Sequence, residues 1–322
     1  MTHDAASFFH RAEWFDVLKR AFGHQPHYLF VERDGAITAI LPLFHMRSLL
    51  FGNALISVPF CVYGGVVGDD AEDCALLIRE AQSLGERLGV DYLELRNETT
   101  VEEGWKSKDL YVTFRKAISE NADENMKSIP RKQRAMVRKG IKAGLESHVD
   151  DGIDAFYRCF SESVRNLGTP VFAKKYFSLL YEAFGDDCEI RLISKDGQAI
   201  AGVMSFYFKN QVLPYYGGSI QAARRLYAND FMYWQVMDHA AQRGVEIFDY
   251  GRSKIDSGSY RFKKHWGFEP QPLAYSYHLV KSREVPNISP NNAKYKYFVD
   301  AWRRLPLSVA NRVGPWLSRQ LG

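Results

Sequence analysis

The chain has 322 residues, 46% of them hydrophobic and 25% charged, with a formal net charge of +4. That is enough apolar sequence for two ordinary cores, and too little net charge for general adhesion to nucleic acid or lipid, so an anionic partner has to be met by a local patch. The longest apolar runs, 36–44 and 54–67, are broken by polar residues, Pro or Gly and fall short of the roughly 20 residues of a spanning helix.

Met1-Thr2-His3-Asp4 is not a basic stretch leading into an apolar run, so no secretion signal is expected. Cys61, Cys74, Cys159 and Cys188 form no CxxC pair, which argues against a zinc site and against a disulfide framework. His24 and His27 are too isolated from further ligands to make a metal pair. A cytoplasmic protein without a metal is expected.

In chain order, an opening helix is followed by alternating strands over 27–32 and 36–45, turned at Arg33-Asp34-Gly35. The second half repeats this. A helix over 174–184 precedes strands over 189–194 and 199–208, turned at Lys195-Asp196-Gly197, where Gly supplies positive φ. Tyr63-Gly64-Gly65 reads as a strand end, as does Tyr216-Gly217-Gly218, each leading to a long amphipathic helix. Gly89-Val90-Asp91-Tyr92-Leu93-Glu94-Leu95 then matches Gly244-Val245-Glu246-Ile247-Phe248-Asp249-Tyr250, a helix stop running into a strand. Three ordered matches predict a duplication of an α/β unit whose central strands splay to admit a ligand. The alternative is independent use of common turn chemistry.

Between the halves, Pro130 opens a predicted helix, and the chain from Lys127 to Leu145 has no acidic residue. Val137, Ile141 and Leu145 form its expected inward stripe, with Arg131, Arg134, Arg138 and Lys142 on an outer face. Arg forks bind phosphate bidentately, so a phosphorylated substrate or a tRNA backbone is one partner for that face. An ordinary solvated surface is the other reading.

The most informative stretch is Phe248-Asp249-Tyr250-Gly251-Arg252-Ser253, then Gly258-Ser259-Tyr260-Arg261-Phe262-Lys263-Lys264-His265-Trp266-Gly267-Phe268. Its D-x-G-R-S and Y-x-F-K-x-x-W-G patterns, with Tyr216-Gly217-Gly218-Ser219 upstream, resemble the FemAB-like branch of the GNAT superfamily. The tail from Trp302 to Pro315 is similar to that of FemAB-like proteins associated with exosortase (PEP-CTERM) and exopolysaccharide loci.

The resemblance implies an α/β (mixed α+β) fold of two tandem GNAT-like domains, each a mixed, mostly antiparallel sheet flanked by helices. The expected boundaries are 1–147, including the basic helix at about 123–145, then 148–285, then a basic amphipathic tail over 286–322. It also implies transfer of an aminoacyl or acyl group to an amine of a peptidoglycan, cell-envelope or exopolysaccharide precursor. No bound cofactor is expected, and the donor substrate is aminoacyl-tRNA or acyl-CoA.

Amine attack on an activated ester or thioester requires orientation, a proton acceptor and oxyanion stabilisation, and no covalent nucleophile. No GxSxG elbow is present. Within 249–264, Asp249 is the candidate base or amine-orienting carboxylate, with a salt bridge to Arg252 as its structural alternative. Lys263 or Tyr260 would stabilise the oxyanion, while Arg252 and Lys263 would bind phosphate or carboxylate. Tyr216 and Ser219 would line the pocket. Ser253 and Lys264, Tyr63 in the first half, and Arg131, Arg134 and Arg138 complete the predicted substrate contacts. Phe262 and Phe268 are expected in the core.

The tail mixes Trp302, Leu305, Leu307, Val309, Val313, Trp316 and Leu317 with Arg303, Arg304, Arg312 and Arg319. It suits either a headgroup-level membrane contact through 299–321, at the inner face, or docking on the protein itself. A polyprenyl-linked or phosphorylated acceptor would fit the first.

Two rival functions remain. An acyl-CoA-dependent GNAT N-acyltransferase would need a Gly-rich pyrophosphate loop, but the corresponding stretches are Gly68-Asp69-Asp70-Ala71-Glu72 and Ala222-Ala223-Arg224-Arg225-Leu226. A non-catalytic binding or scaffold protein is the third reading. The first half has Glu94-Leu95-Arg96-Asn97 and no Y-x-F-K segment, and is expected to bind substrate only.

Overall fold

A computed structural model describes residues 3–48, 52–99, 104–285 and 293–320. The chain forms two compact units, Met1–Tyr111 with Pro272–Asn292 and Trp316–Gly322, and Val112–Gln271 with Ala293–Pro315. This moves the expected boundary from 147 to 111 and splits the expected tail between the units. Residues 286–292, part of that tail, lie outside the described residues.

In the first unit the helix Glu13–Phe22 precedes the hairpin of Gln25–Arg33 and Ala36–Ser48. Asp34 and Gly35, with φ of 51° and 79°, make its turn, the positive-φ pair whose twist suits a hairpin. The sheet continues through Gly52–Ile56, Tyr92–Asn97, Ala274–Leu279 and Lys106–Ser107, with Val67–Gly68 laid on Ala36–Ser48. Tyr92–Asn97 is buried along its whole length. A bare edge there would leave backbone groups buried without partners, and Ala274–Leu279 covers it, Tyr275 opposite Arg96 and His278 opposite Leu93. That is why residues expected in the second domain complete the first sheet. The helix Ala71–Leu88, stopped at left-handed Gly89, packs on this sheet.

Tyr63-Gly64-Gly65 does not end a strand. The segment from Ser57 to Gly65 is irregular, tied by Ser57 N–H to the Glu94 carbonyl and Gly65 N–H to the Arg96 carbonyl. Buried Arg96 donates to the Val58 and Cys61 carbonyls and pairs with Glu94 at 2.7 Å.

In the second unit six strands run in the order Arg115–Ala117, Ile247–Asp249, Gln211–Ser219, Gln198–Phe208, Cys188–Lys195 and Glu146–Asp150. All neighbours are antiparallel except Gln211–Ser219 and Ile247–Asp249. The Tyr216-Gly217-Gly218 signature is explained by packing. A Cβ on Gly218 would lie 2.8 Å from the Phe160 Cα of helix Asp154–Leu167, and one on Gly217 would lie 2.8 Å from the Tyr233 hydroxyl of helix Ala228–Gln242. Successive strand residues face opposite ways, so the two glycines let one helix approach each face.

The basic helix, Arg131–Lys142, belongs to this unit. Its buried positions are Val137 and Gly140, not the expected Val137, Ile141 and Leu145 stripe: Ile141 is 49% exposed, while Leu145, beyond the helix, is buried. Gly140 sets this, because a Cβ there would meet Phe231 Cβ at 2.8 Å. We expect Gly140→Val to force the helices apart and cost about 1–3 kcal/mol, read as a lower urea midpoint with an unchanged m value.

Candidate functional site

The parallel strands Gln211–Ser219 and Ile247–Asp249 pair at two positions only, Gln211 with Ile247 and Val212 with Phe248. Beyond them the chains part. Tyr250 N–H goes to the Phe114 carbonyl, and Gly251, at φ 64°, turns the backbone away. Asp249 sits at the parting point with a side chain that is 0% exposed. Its carboxylate accepts from Arg115 Nε at 2.9 Å, from Gly251 N–H at 2.6 Å and from Thr113 Oγ1 at 3.5 Å. Asp249 makes an ion pair across the sheet to Arg115, its register partner. Arg115 and Thr113 lie far from the motif in sequence, and nothing in its pattern marked them.

The turn after this strand leads into helix Gly258–His265, capped by Ser257, whose Oγ accepts from Tyr260 N–H. One turn on, Lys263 points inward. It is 8% exposed, and its Nζ donates to the Gly251 carbonyl at 2.9 Å and the Arg252 carbonyl at 3.0 Å. Phe114 and Tyr250 face the ammonium, with ring centroids 5.5 and 6.0 Å from Nζ. Burial pulls its pKa down to about 7, against an opposing pull from Asp249 and with a smaller push from Arg252. Tyr260 stands edge-on to Phe114 at 5.5 Å, and Lys264 is exposed over the Tyr260 ring. The Ser253 Oγ and Tyr250 hydroxyl are buried with no hydrogen-bond partner among the described residues.

Asp249, Arg252, Ser253, Tyr260, Lys263 and Lys264 thus fall on one strand end, its turn and the next helix. Tyr216 does not join them. It lies among Phe160, Phe172 and Phe177, and its hydroxyl bonds Tyr176 at 2.9 Å. Ser219 is buried opposite Ala201. Tyr63, in the first unit, is 2% exposed and packed edge-to-face on Phe9 of the same unit. Tyr216, expected to line the pocket, and Tyr63, expected to contact substrate, both lie in aromatic packing, each within its own unit, where a ring buries a large apolar area. Phe262 is half-buried and Phe268 fully buried, as expected.

The basic helix is tied to the motif by a group the sequence did not single out. Asp230, in the first turn of Ala228–Gln242, accepts from Trp266 Nε1 at 3.1 Å and from Gln133 Nε2, and burial raises its pKa. Arg131 and Arg138 are exposed, while Arg134 turns partly inward and leaves its Nε buried without a partner.

Residues 128–264 match the family model described as an acetyltransferase (GNAT) domain. The match runs from just before the basic helix to Lys264 in the motif helix, less than half of the chain. The solved structure of FemX is 16% identical over 87% of this chain and 94% of its own, with a TM-score of 0.69. The C-terminal domain (DUF2156) of a putative lysylphosphatidylglycerol synthetase from Agrobacterium fabrum is 16% identical over 82% and 87%, at 0.57. A tandem GNAT protein from the clavulanic acid biosynthesis pathway is 10% identical over 83% and 94%, at 0.52. At these identities the likeness is one of fold, and it agrees with tandem GNAT-like halves. None of the curated protein sequences compared with the chain matches it.

Lys263 makes stability depend on pH in a stated direction. Its folded pKa of about 7 lies below the ordinary 10.5, so between those values the unfolded chain holds a proton that the folded chain lacks, and stability rises with pH. Urea titrations at about pH 7 and about pH 9 should show up to about 2–3 kcal/mol more gain in the native chain than in Lys263→Met. An equal pH response in the two proteins would contradict the assignment.

Proposed function

We propose that the chain transfers an aminoacyl group from an aminoacyl-tRNA ester to the amine of a phosphorylated or polyprenyl-linked envelope or exopolysaccharide precursor, at the cytoplasmic side of the membrane. The observation that carries this reading is Lys263 Nζ held on two backbone carbonyls where the parallel strands part. Within the FemAB-like class, the likeness of the tail sequence from Trp302 to Pro315 supports the exosortase-associated subgroup.

The neutral Lys263 amine has two N–H donors, which match the Gly251 and Arg252 carbonyls and leave its lone pair over. When protonated, it presents a third N–H in that same direction. A pKa of about 7 makes both forms available near neutral pH. In attack, the acceptor nitrogen bonds to the ester carbonyl carbon and the carbonyl electrons move to oxygen. Lys263 takes a proton from that nitrogen, and its ammonium then steadies the oxyanion. On collapse the C–O bond breaks, its electron pair leaves on the ribose oxygen, and Lys263 returns the proton to that oxygen. Ester and amine become amide and alcohol. Asp249, spent on Arg115 and Gly251, positions the carbonyls that hold Lys263, and Tyr260, beside Phe114, adds a second donor for the oxyanion. The exposed Arg131 and Arg138 are assigned to the phosphate of a substrate, with Lys264, Arg252 and Ser253 along its path.

The surroundings of Asp230 favour the tRNA ester over acyl-CoA as donor. A CoA pyrophosphate seated on the N-terminus of Ala228–Gln242 would meet amides that a backbone nest leaves free. Here the loop before that helix is the 3-10 turn Gln221–Leu226, and buried Asp230 accepts its own backbone N–H in the first turn. A second anion beside that carboxylate is disfavoured. Acyl-CoA transfer remains the second reading, carried by exposed Arg224 and Arg225 in the same turn.

Purified protein should form amide from charged tRNA and an amine acceptor, and none from acyl-CoA mixtures, by mass spectrometry; the opposite donor preference would overturn the tRNA reading. With that assay, Lys263→Met and Lys263→Arg should both lose about 100-fold or more in kcat, because arginine keeps the positive charge and cannot release the proton. Wild-type kcat/KM should rise with pH through about 7. Full activity in Lys263→Arg would leave an oxyanion role only.

A further inference from the structure

The chain ends in two helices, Ala293–Arg303 and Leu307–Ser318, and the second has two unlike faces. Ala310 and Ser318 are each 1% exposed, and Gly314 lies so close to Val171 that a Cβ would stand 3.0 Å from its backbone nitrogen. Asn311 Nδ2 donates to Ser161 Oγ, and the preceding Leu305 carbonyl accepts from Arg165. Ala310 and Gly314, four apart, bring that part of the helix backbone down onto its own unit.

The outward face remains. Val309, Val313 and Trp316 follow one another at i, i+4 and i+7, a single stripe along the helix, and are 41%, 40% and 56% exposed. Arg312 lies exposed along one flank of that stripe, and Arg304 is exposed just before the helix; Arg319 turns its guanidinium to Gly23. Residues 297–320 contain four arginines and one carboxylate, Asp300. Arg303 pairs with Asp300, whereas Arg304 and Arg312 have no ion pair among the described residues. On a chain whose net charge is only +4, a surplus of cations around an apolar stripe with a Trp is concentrated local chemistry.

We propose that the outward face of helix Leu307–Ser318 docks on an anionic lipid bilayer. The helix lies flat, held to the protein by its small-residue face, with Val309, Val313 and Trp316 at headgroup depth and Arg304 and Arg312 on lipid phosphates. Apolar burial and attraction of cations to anionic lipid act together in such a contact, and neither suffices alone. No described helix is long and apolar enough to cross a membrane, so the contact is interfacial. This inference goes beyond the transfer reaction and does not depend on it.

The test is co-sedimentation of the full chain with phosphatidylcholine vesicles, with and without about a third phosphatidylglycerol. The native protein should bind the anionic vesicles and release as salt rises. A triple variant, Val309→Ser, Val313→Ser and Trp316→Ser, alters exposed side chains only, and should keep the circular dichroism spectrum while losing binding. The double variant Arg304→Gln with Arg312→Gln should weaken binding about twentyfold or more at low salt, about fivefold per arginine. Unchanged binding by the triple variant, or absence of binding by the native chain, overturns the proposal. So does a concentration-dependent dimer that the triple variant abolishes without any vesicle binding, since the face would then belong to a second copy.

Discussion

The second unit depends on how a parallel strand pair that stops after two residue pairs satisfies the backbone it leaves behind. Where Gln211–Ser219 and Ile247–Asp249 separate, the carbonyls of Gly251 and Arg252 and the N–H of Gly251 would be buried without sheet partners. Lys263 supplies donors for the two carbonyls, and Asp249 accepts the N–H. A buried, unpaired backbone group costs about as much as a lost hydrogen bond. The lysine and the carboxylate are therefore required by the fold before any substrate arrives. The D-x-G-R-S and Y-x-F-K patterns form a matched pair for that reason: one creates the vacant backbone positions and the other fills them.

The first unit meets the same problem with different residues. Gly52–Ile56 and Tyr92–Asn97 are also parallel and also stop, after three pairs. There the chain itself closes the gap. Residues 57–65 fold back onto the strand end, with Ser57 and Gly65 donating to it, and Arg96 reaches the Val58 and Cys61 carbonyls from the position that Gly251 occupies in the motif of the other half. A long side chain at that position holds a loop in place, whereas a glycine lets the backbone turn and present its carbonyls to a lysine. The replacement of D-x-G-R by E-L-R-N thus accounts for a chemical difference between the halves through one residue's size and φ.

Much of this was legible in the sequence because it rests on local rules. The turns at Asp34-Gly35 and Asp196-Gly197, the helix stop at Gly89, and the strand into Asp249 are all read from φ preferences and periodicity. The expected positions failed where distance decided. Ile141 has the right spacing for an inward stripe, but Gly140 admits Phe231 more closely and rotates the helix. Tyr216 and Tyr63 follow a strand-end signature, yet aromatic neighbours brought from Tyr176 and Phe9 bury them. Arg115, Thr113 and Asp230 are brought to the site by sheet order and helix packing, and a single sequence carries no local mark of either.

Asp230 shows why these distant residues matter to chemistry. Its buried carboxylate accepts one donor from the basic helix and one from the Trp266 that closes the motif helix. Gly267, at φ 78°, also brings that end within contact of Pro130. The exposed arginines of the basic helix are consequently fixed relative to Lys263 through a short chain of hydrogen bonds within one unit. Burial raises the Asp230 pKa, while the donors from Gln133 and Trp266 and its own backbone N–H pull it down, so both helices help to hold the carboxylate. A rigid cationic face and a proton-exchanging lysine are then held by one buried group. The proposed transfer asks for that pairing, a cationic face for a polyanionic donor beside a lysine that exchanges a proton.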